Sequence, residues 1–143
     1  MPVYKRYPAE LSLRVKDVMS SPPIVVSEDA SIGQAAKTMW EDKVGSVLVV
    51  NRGKLSGIVT ERDVLFALAK SMVVEKVPVA KIMSRNVIAV DEDELVVSAI
   101  QRMRQANIKH LPVIKTGGKP IGIISLRDLL DAGVSFVRVL LPE

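Results

Sequence analysis

The sequence contains no cysteine and a single histidine, and these absences exclude most thiol and metal chemistry. Without cysteine the chain can form neither a disulfide bond nor a thiolate nucleophile, and every zinc site that uses sulfur is excluded. One histidine does not provide a histidine-rich metal site either. We therefore expect no metal and no catalytic cofactor.

Aromatic residues and long apolar runs are also scarce. Aromatic residues make up 3% of the 143 residues, too few for the base-stacking surface of a single-stranded nucleic-acid binder. The longest apolar stretches, 44–50 and 134–141, are much shorter than the roughly 20 residues that a membrane span requires. No apolar signal-peptide core follows Lys5 and Arg6. We expect a cytoplasmic protein without a membrane contact.

The residues that are present are typical of a folded protein with one or two small domains. The chain is 48% hydrophobic and 25% charged, so a hydrophobic core can form and general disorder is excluded. The formal net charge of +4 favours anionic partners. Nucleotides, RNA and DNA all stay open as ligands at this point.

The chain contains an internal duplication. At a shift of 64 residues Val15 matches Val79, and after one inserted residue near Gly118 the shift becomes 65. Further matched pairs are Met19 with Met83, Ser20 with Ser84, Glu28 with Glu92, Met39 with Met103, Gly57 with Gly122 and Asp63 with Asp128. We predict two repeats, 15–70 and 79–132, with terminal extensions at 1–14 and 133–143. A unit of about 55 residues is only marginally stable alone, so the two repeats are expected to pack together.

Hydrophobic periodicity predicts the same order of elements in both repeats. After a short helical turn at 15–19, the first repeat has a strand at 24–26 and an amphipathic helix behind a capping box. Its apolar positions are Ile32, Ala35, Ala36, Met39 and Trp40. A hairpin at 46–50 and 55–59 and a helix at 61–70 complete the repeat. The second repeat has the corresponding segments 79–83, 87–90, 96–103, 111–114, 120–124 and 126–132. The predicted fold is therefore α/β (α+β), with two β-α-β-β-α repeats related by pseudo-twofold symmetry.

A pattern of Gly-x-x-[Ser/Thr]-x-x-Asp joins the third strand to the last helix in both repeats, at 57–63 and 122–128. Ser or Thr followed three residues later by an acid is a capping box, which is the structural interpretation. A helix start also presents free N–H groups and partial positive charge to an anion. An Asp at that place can accept hydrogen bonds from two vicinal ribose hydroxyls. The same cap can therefore serve a nucleotide.

The duplicated pattern resembles a tandem cystathionine-beta-synthase (CBS) domain pair, often called a Bateman module. Besides both Gly-x-x-[Ser/Thr]-x-x-Asp segments, the resemblance rests on Asp17-Val18-Met19, on Ala35, Ala36 and Met39, and on His110-Leu111-Pro112-Val113. It implies two symmetry-related clefts between the repeats that bind AMP, ADP or ATP, with S-adenosylmethionine and NAD also compatible. It also implies a module that senses rather than catalyses, and that forms a homodimer.

The resemblance further implies which residues contact the ligand. Asp63 and Asp128 correspond to positions that bind ribose hydroxyls, and Thr60 and Ser125 to positions near the ribose or the α-phosphate. For the Asp128 cleft the implied adenine wall comes from the other repeat and consists of Pro23, Ile24, Val44, Gly45 and Ser46. For the Asp63 cleft it consists of Val87, Ile88, Ile108, Lys109 and His110. The implied phosphate contacts are Arg62, Arg127, Lys109 and His110.

Each charged position also has a structural alternative. Arg62 and Arg127 can be solvated side chains in a first helical turn, and His110 can be a half-buried histidine with an internal partner. The sequence departs from the family at Leu48, where the first repeat lacks the proline that Pro112 supplies to the second. Ser46 likewise stands where the second repeat has His110. The two clefts are therefore not assumed to be equivalent.

The favoured function is a stand-alone regulatory module that binds an adenine nucleotide and passes its signal to an effector protein. The alternative is a nucleic-acid-binding or protein-interaction module whose clefts are empty. We expect no enzyme, because the sequence contains no G-x-S-x-G, P-loop or G-x-G-x-x-G motif. Homodimer contacts are expected from five apolar helix residues, Trp40, Val64, Phe66, Leu129 and Leu130. The alternative for each of them is a place in the internal core.

Overall fold

The structure, a computed structural model, describes residues 12–132 and contains two copies of one β-α-β-β-α unit. The elements of the first half are α1 (Val15–Val18), β1 (Val25–Ser27), α2 (Ile32–Asp42), β2 (Ser46–Asn51), β3 (Lys54–Thr60) and α3 (Glu61–Ala69). After a 3-10 turn at Val79–Lys81, the second half has β4 (Val90–Asp91), α4 (Val96–Ala106), β5 (His110–Ile114), β6 (Pro120–Ser125) and α5 (Leu126–Asp131). The predicted fold class and element order are confirmed. The extension 133–143, and all of 1–14 except residues 12–14, lie outside the described residues.

Each unit builds a three-stranded sheet, with the strand orders β1-β2-β3 and β4-β5-β6. The first two strands of each sheet are parallel and the last two form an antiparallel hairpin. In this register Ser46 lies opposite Thr60, and His110 lies opposite Ser125. The pairing therefore brings the start of each middle strand beside the residue that caps the following helix.

The predicted strand at 87–90 is shorter than the sequence indicated. Only Val90 and Asp91 pair with β5, so β4 consists of two residues. Of the residues predicted on the apolar face of α2, Ile32, Ala35 and Met39 are buried. Trp40 is instead 85% exposed, since it borders an open cleft rather than the core. No helix among residues 12–132 is long and apolar enough to cross a membrane.

The first segment of each repeat packs on the other repeat. Val15 of α1 belongs to the core of the second unit, together with residues such as Val96 and Leu111. Val79 and Met83 belong to the core of the first unit. The backbones of Ser20 and Ile123 exchange two hydrogen bonds of 2.8 and 3.0 Å, and Ser84 and Ile58 do the same at 3.0 and 3.1 Å. Each hairpin edge is therefore covered by the segment that begins the other repeat.

The glycine of the repeated motif permits this close approach. A Cβ added to Gly122 would lie 2.7 Å from Met19 Sδ and 2.9 Å from the carbonyl oxygen of Ser20. A Cβ on Gly57 would lie 2.5 Å from Met83 Sδ. A hydrogen is the only substituent that fits at either position without a shift of the neighbouring segment. This glycine therefore has a packing role in both repeats.

Candidate functional site

Both predicted caps are formed, and each uses one oxygen of its Asp. Ser125 donates from its backbone N–H and its hydroxyl to Oδ2 of Asp128, both at 2.9 Å, and its Oγ accepts from the Asp128 N–H at 3.1 Å. Thr60 donates to Oδ2 of Asp63 from its N–H at 2.8 Å and from its hydroxyl at 3.2 Å. The structural interpretation of the motif is thus satisfied through Oδ2, and it leaves Oδ1 for other partners.

Asp128 and Asp63 differ in the hydrogen bonding of their second carboxylate oxygen, Oδ1. Ser20 donates its hydroxyl to Oδ1 of Asp128 at 2.7 Å, from the segment that pairs with the edge of β6. Among residues 12–132, no corresponding hydrogen bond joins Ser84 to Oδ1 of Asp63. A carboxylate oxygen has two acceptor positions, so Oδ1 of Asp128 can accept a further hydroxyl.

An open cleft of about 1240 Å³ extends from Asp128 to the first repeat. Most of the residues predicted for this cleft line it. They are Ile24, Val44, Gly45, Ser46, Ser125, Arg127 and Asp128. Pro22 lines the cleft in place of the predicted Pro23. The volume exceeds the roughly 300–1,000 Å³ of typical small-molecule pockets because the cleft is open to solvent. Apolar groups of one repeat and the capped carboxylate of the other therefore line one cleft that is large enough for a small-molecule ligand.

His110, which the family resemblance assigned to the Asp63 cleft, lines the Asp128 cleft. Its Nδ1 lies 3.3 Å from the hydroxyl of Ser46, the residue at the matching position of the first repeat. This contact joins the two repeats at their pseudo-twofold axis. Burial lowers the pKa of His110 from its ordinary value of 6.5, while the charges of Asp128 and Glu61 oppose the shift. At pH 7 the neutral form of His110 therefore predominates.

The residues predicted around Asp63 are less closely gathered. Thr60 and Asp63 are joined through the cap, whereas Arg62, Ile88 and Lys109 are exposed and Val87 and Ile108 are half-buried. Ile108 packs against the core of the second repeat. The backbone oxygen of Lys109 accepts from the Leu126 N–H at 3.1 Å, and Lys109 and His110 border a depression of about 340 Å³ beside α5.

The predicted dimer residues fall into two groups. Trp40, Phe66 and Leu130 are 85%, 49% and 59% exposed. Leu129 is fully buried, and Val64 packs against the first core, so these two are explained by the interior of the chain.

Comparison with known proteins identifies the family. The family model of the CBS domain matches residues 15–70 and 79–135. The chain belongs to the CBS domain family. Among its relatives, an uncharacterized 17.7 kDa protein of Acidianus ambivalens is 36% identical over 123 residues, covering 85% of this chain and 74% of that protein. Three longer relatives, two of them named as enzymes, match over only 22%, 23% and 25% of their own length.

Solved CBS pairs share the fold. The CBS domain pair of protein MJ0100, in complex with 5′-methylthioadenosine and S-adenosyl-L-methionine, has a TM-score of 0.79 and 35% identity, over 86% of this chain and 98% of that one. The CBS domain protein PAE2072 from Pyrobaculum aerophilum, complexed with AMP, has a TM-score of 0.76 and 27% identity, over 86% and 100%. Both neighbours carry adenosine-containing ligands.

Two side chains of this CBS pair were missed by sequence reasoning, Ser20 and Glu61. Ser20 matches Ser84 in the duplication, and that match was a usable signal. Glu61 occupies a spacer position of the motif, where the second repeat has Leu126. This difference between two otherwise matching motifs could have drawn attention to Glu61.

Proposed function

We propose that this CBS pair is a regulatory module that binds an adenosine-containing ligand in the Asp128 cleft. The observation that carries the proposal is the position of a capped carboxylate, Asp128, in the lining of a cleft that also has apolar groups of the other repeat in its wall. AMP, ADP and ATP are the ligands predicted first, and S-adenosylmethionine and NAD fit the same description. The structural neighbours with bound AMP and S-adenosylmethionine support this ligand class.

In the proposed complex, Oδ1 of Asp128 accepts from a ribose hydroxyl beside Ser20. The adenine ring packs between Ile24 and Val44, which both line the cleft. Asp63 offers a second, non-identical site with Thr60. Because the contacts come from both repeats, binding shifts their relative arrangement by as much as the ligand prefers one arrangement over another.

The module is proposed to sense a ligand rather than to transform it. The Ser46–His110 contact has the residue types of a nucleophile and a base, but Ser46 is only 6% exposed. We propose that this pair holds the two repeats together at their pseudo-twofold axis. A regulatory role also requires an effector protein, and a cytoplasmic location is proposed with it because adenine nucleotides are abundant there.

The proposed module is a homodimer that meets its second copy through exposed apolar residues of α2, α3 and α5. These residues are Trp40, Leu65, Phe66, Leu68 and Leu130. Isolated apolar side chains are ordinary on a protein surface, whereas a contiguous group of them is typical of an interface; α2 and α3, which contact each other, carry four of the five.

The test is ligand binding by calorimetry and by fluorescence of Trp40, the one tryptophan of the chain, which borders the cleft. The panel is AMP, ADP, ATP, S-adenosylmethionine, NAD and GTP. A ligand at 100 times its Kd raises the free energy of unfolding by about 2.7 kcal/mol, which thermal unfolding detects. We expect at least one adenosine compound to bind and GTP not to bind.

Asp128→Ala and Asp63→Ala form a matched pair, because each removes one capping carboxylate at a cost of about 1 kcal/mol. We expect binding at the Asp128 cleft to be lost in Asp128→Ala and kept in Asp63→Ala. Absence of binding by the whole panel would contradict the proposal and favour a nucleic-acid or protein partner, with both Asp residues acting only as caps.

A further inference from the structure

The charged residues that line the Asp128 cleft have an excess of negative charge. The acidic ones are Glu41, Glu61, Asp128 and Asp131, and the basic ones are Lys43 and Arg127. Burial lowers the pKa of His110, so this residue adds little positive charge at pH 7. For a cleft proposed to hold a nucleotide, this excess opposes a ligand with several phosphates.

Glu61 is the first residue of α3 and lies beside the start of β2. Its N–H donates to the backbone oxygen of Gly45 at 3.1 Å. Its Oε1 lies 3.8 Å from the point that a Cβ on Gly45 would occupy, and Cε1 of His110 lies 3.3 Å from the same point. The carboxylate of Glu61 is therefore beside His110, where the two repeats meet.

Glu61 also lacks a cation to neutralise it. None of the ion pairs formed by the described residues includes Glu61, whereas Glu41 approaches Lys37 at 3.8 Å and Asp131 approaches Arg127 at 3.9 Å. Leu126, its counterpart in the second repeat, is uncharged. The acidic group is consequently a feature of this cleft and not of the duplicated pattern.

We propose that Glu61 makes the Asp128 cleft select among adenosine compounds by the charge of the 5′ substituent, favouring a neutral or cationic substituent over a phosphate chain. The selectivity rests on the proposed function, since it concerns the same cleft. Glu61 is exposed, so water screens its charge in part, but like charges a few ångströms apart still repel each other in water. Affinity is expected to fall roughly tenfold from 5′-methylthioadenosine to AMP and again from AMP to ATP, and tenfold equals about 1.4 kcal/mol.

The first experiment measures the Kd of 5′-methylthioadenosine, S-adenosylmethionine, AMP and ATP at pH 8 for the wild type and for Glu61→Gln. We expect Glu61→Gln to bind ATP about tenfold more tightly, AMP several-fold more tightly, and 5′-methylthioadenosine within twofold of the wild type. Glu75→Gln is the matched control, because it removes the same charge from an exposed residue that does not line the cleft; this variant is expected to leave all four Kd values within about twofold.

The second experiment needs no variant. Salt screens repulsion over a distance of roughly 8–10 Å at 0.1–0.15 M, so the affinity of the wild type for ATP should rise with ionic strength while that for 5′-methylthioadenosine stays flat. Equal binding of ATP and 5′-methylthioadenosine, or an equal gain for all ligands in Glu61→Gln, would overturn the charge selection and leave the proposed function intact. Failure of all four compounds to bind either protein would overturn both.

Discussion

Replacement of Gly122 by alanine tests whether the packing of Met19 and Ser20 against β6 depends on one close contact. The added methyl group would lie 2.9 Å from the carbonyl oxygen of Ser20 and 2.7 Å from Met19 Sδ. The methionine side chain can turn away, but the backbone oxygen can move only with the whole segment. That movement would weaken the two backbone hydrogen bonds between Ser20 and Ile123.

The expected loss follows from these contacts. Overpacking of a close contact costs about 1–3 kcal/mol, and each weakened hydrogen bond removes up to about 1 kcal/mol. Gly122→Ala should therefore lower the free energy of unfolding by about 2–4 kcal/mol. For a chain of this size, that corresponds to a decrease of about 7–13 °C in the Tm.

The assay is urea unfolding followed by circular dichroism, with Gly53→Ala as the control. Gly53 has a φ of +77° and no atom within 4 Å of an added Cβ, so its replacement adds backbone strain of about 1–2 kcal/mol without a clash. A loss in Gly122→Ala no larger than in Gly53→Ala would refute the argument from close contact.

Three further predictions concern Ser20 in the cleft, His110 between the repeats, and the exposed apolar residues Trp40 and Leu130. Ser20→Ala removes the hydroxyl that donates to the cleft carboxylate and should lower the free energy of unfolding by about 1 kcal/mol, whereas Ser84→Ala should have a smaller effect in the same chemical denaturation assay. Because burial lowers the pKa of His110 in the folded state, its contribution to stability is present above pH 6.5 and is lost as the pH falls through the folded pKa. Unfolding measured between pH 5 and 8 should therefore show a steeper loss of stability for the wild type than for His110→Gln, and parallel curves would contradict the assignment. Trp40→Glu combined with Leu130→Glu should convert the proposed dimer to a monomer in light scattering without a change in helix content; an unchanged mass would exclude this face as the contact.

The elements of the fold were predictable because the interactions that define them are close in sequence. The capping boxes at Ser125 and Thr60 link residues three apart, and the apolar spacing of α2 lies within eleven residues. The duplication added an independent check, since each helix or strand was indicated twice. The shorter β4 escaped prediction because strand length depends on where β5 offers a partner.

The site was predictable only in part. The carboxylates and the apolar wall of the Asp128 cleft follow from the motif and the family resemblance, and the structure brings them together across the cleft. His110 lies near the pseudo-twofold axis, and it could line either of the two clefts beside that axis. Spacing along the chain does not distinguish these two sides, because the neighbours that decide between them belong to the other repeat.

By itself, the sequence determined the two repeats, their order of elements and the residues that cap α3 and α5, because short-range periodicity and hydrogen bonding between near neighbours suffice for these features. Only the tertiary structure decided that Val15 packs in the second core and Val79 in the first. It likewise decided that Ser20 reaches Asp128 across 108 positions of the chain. These contacts arise because each hairpin exposes an edge with free backbone groups, and the segment that satisfies an edge is chosen by three-dimensional proximity.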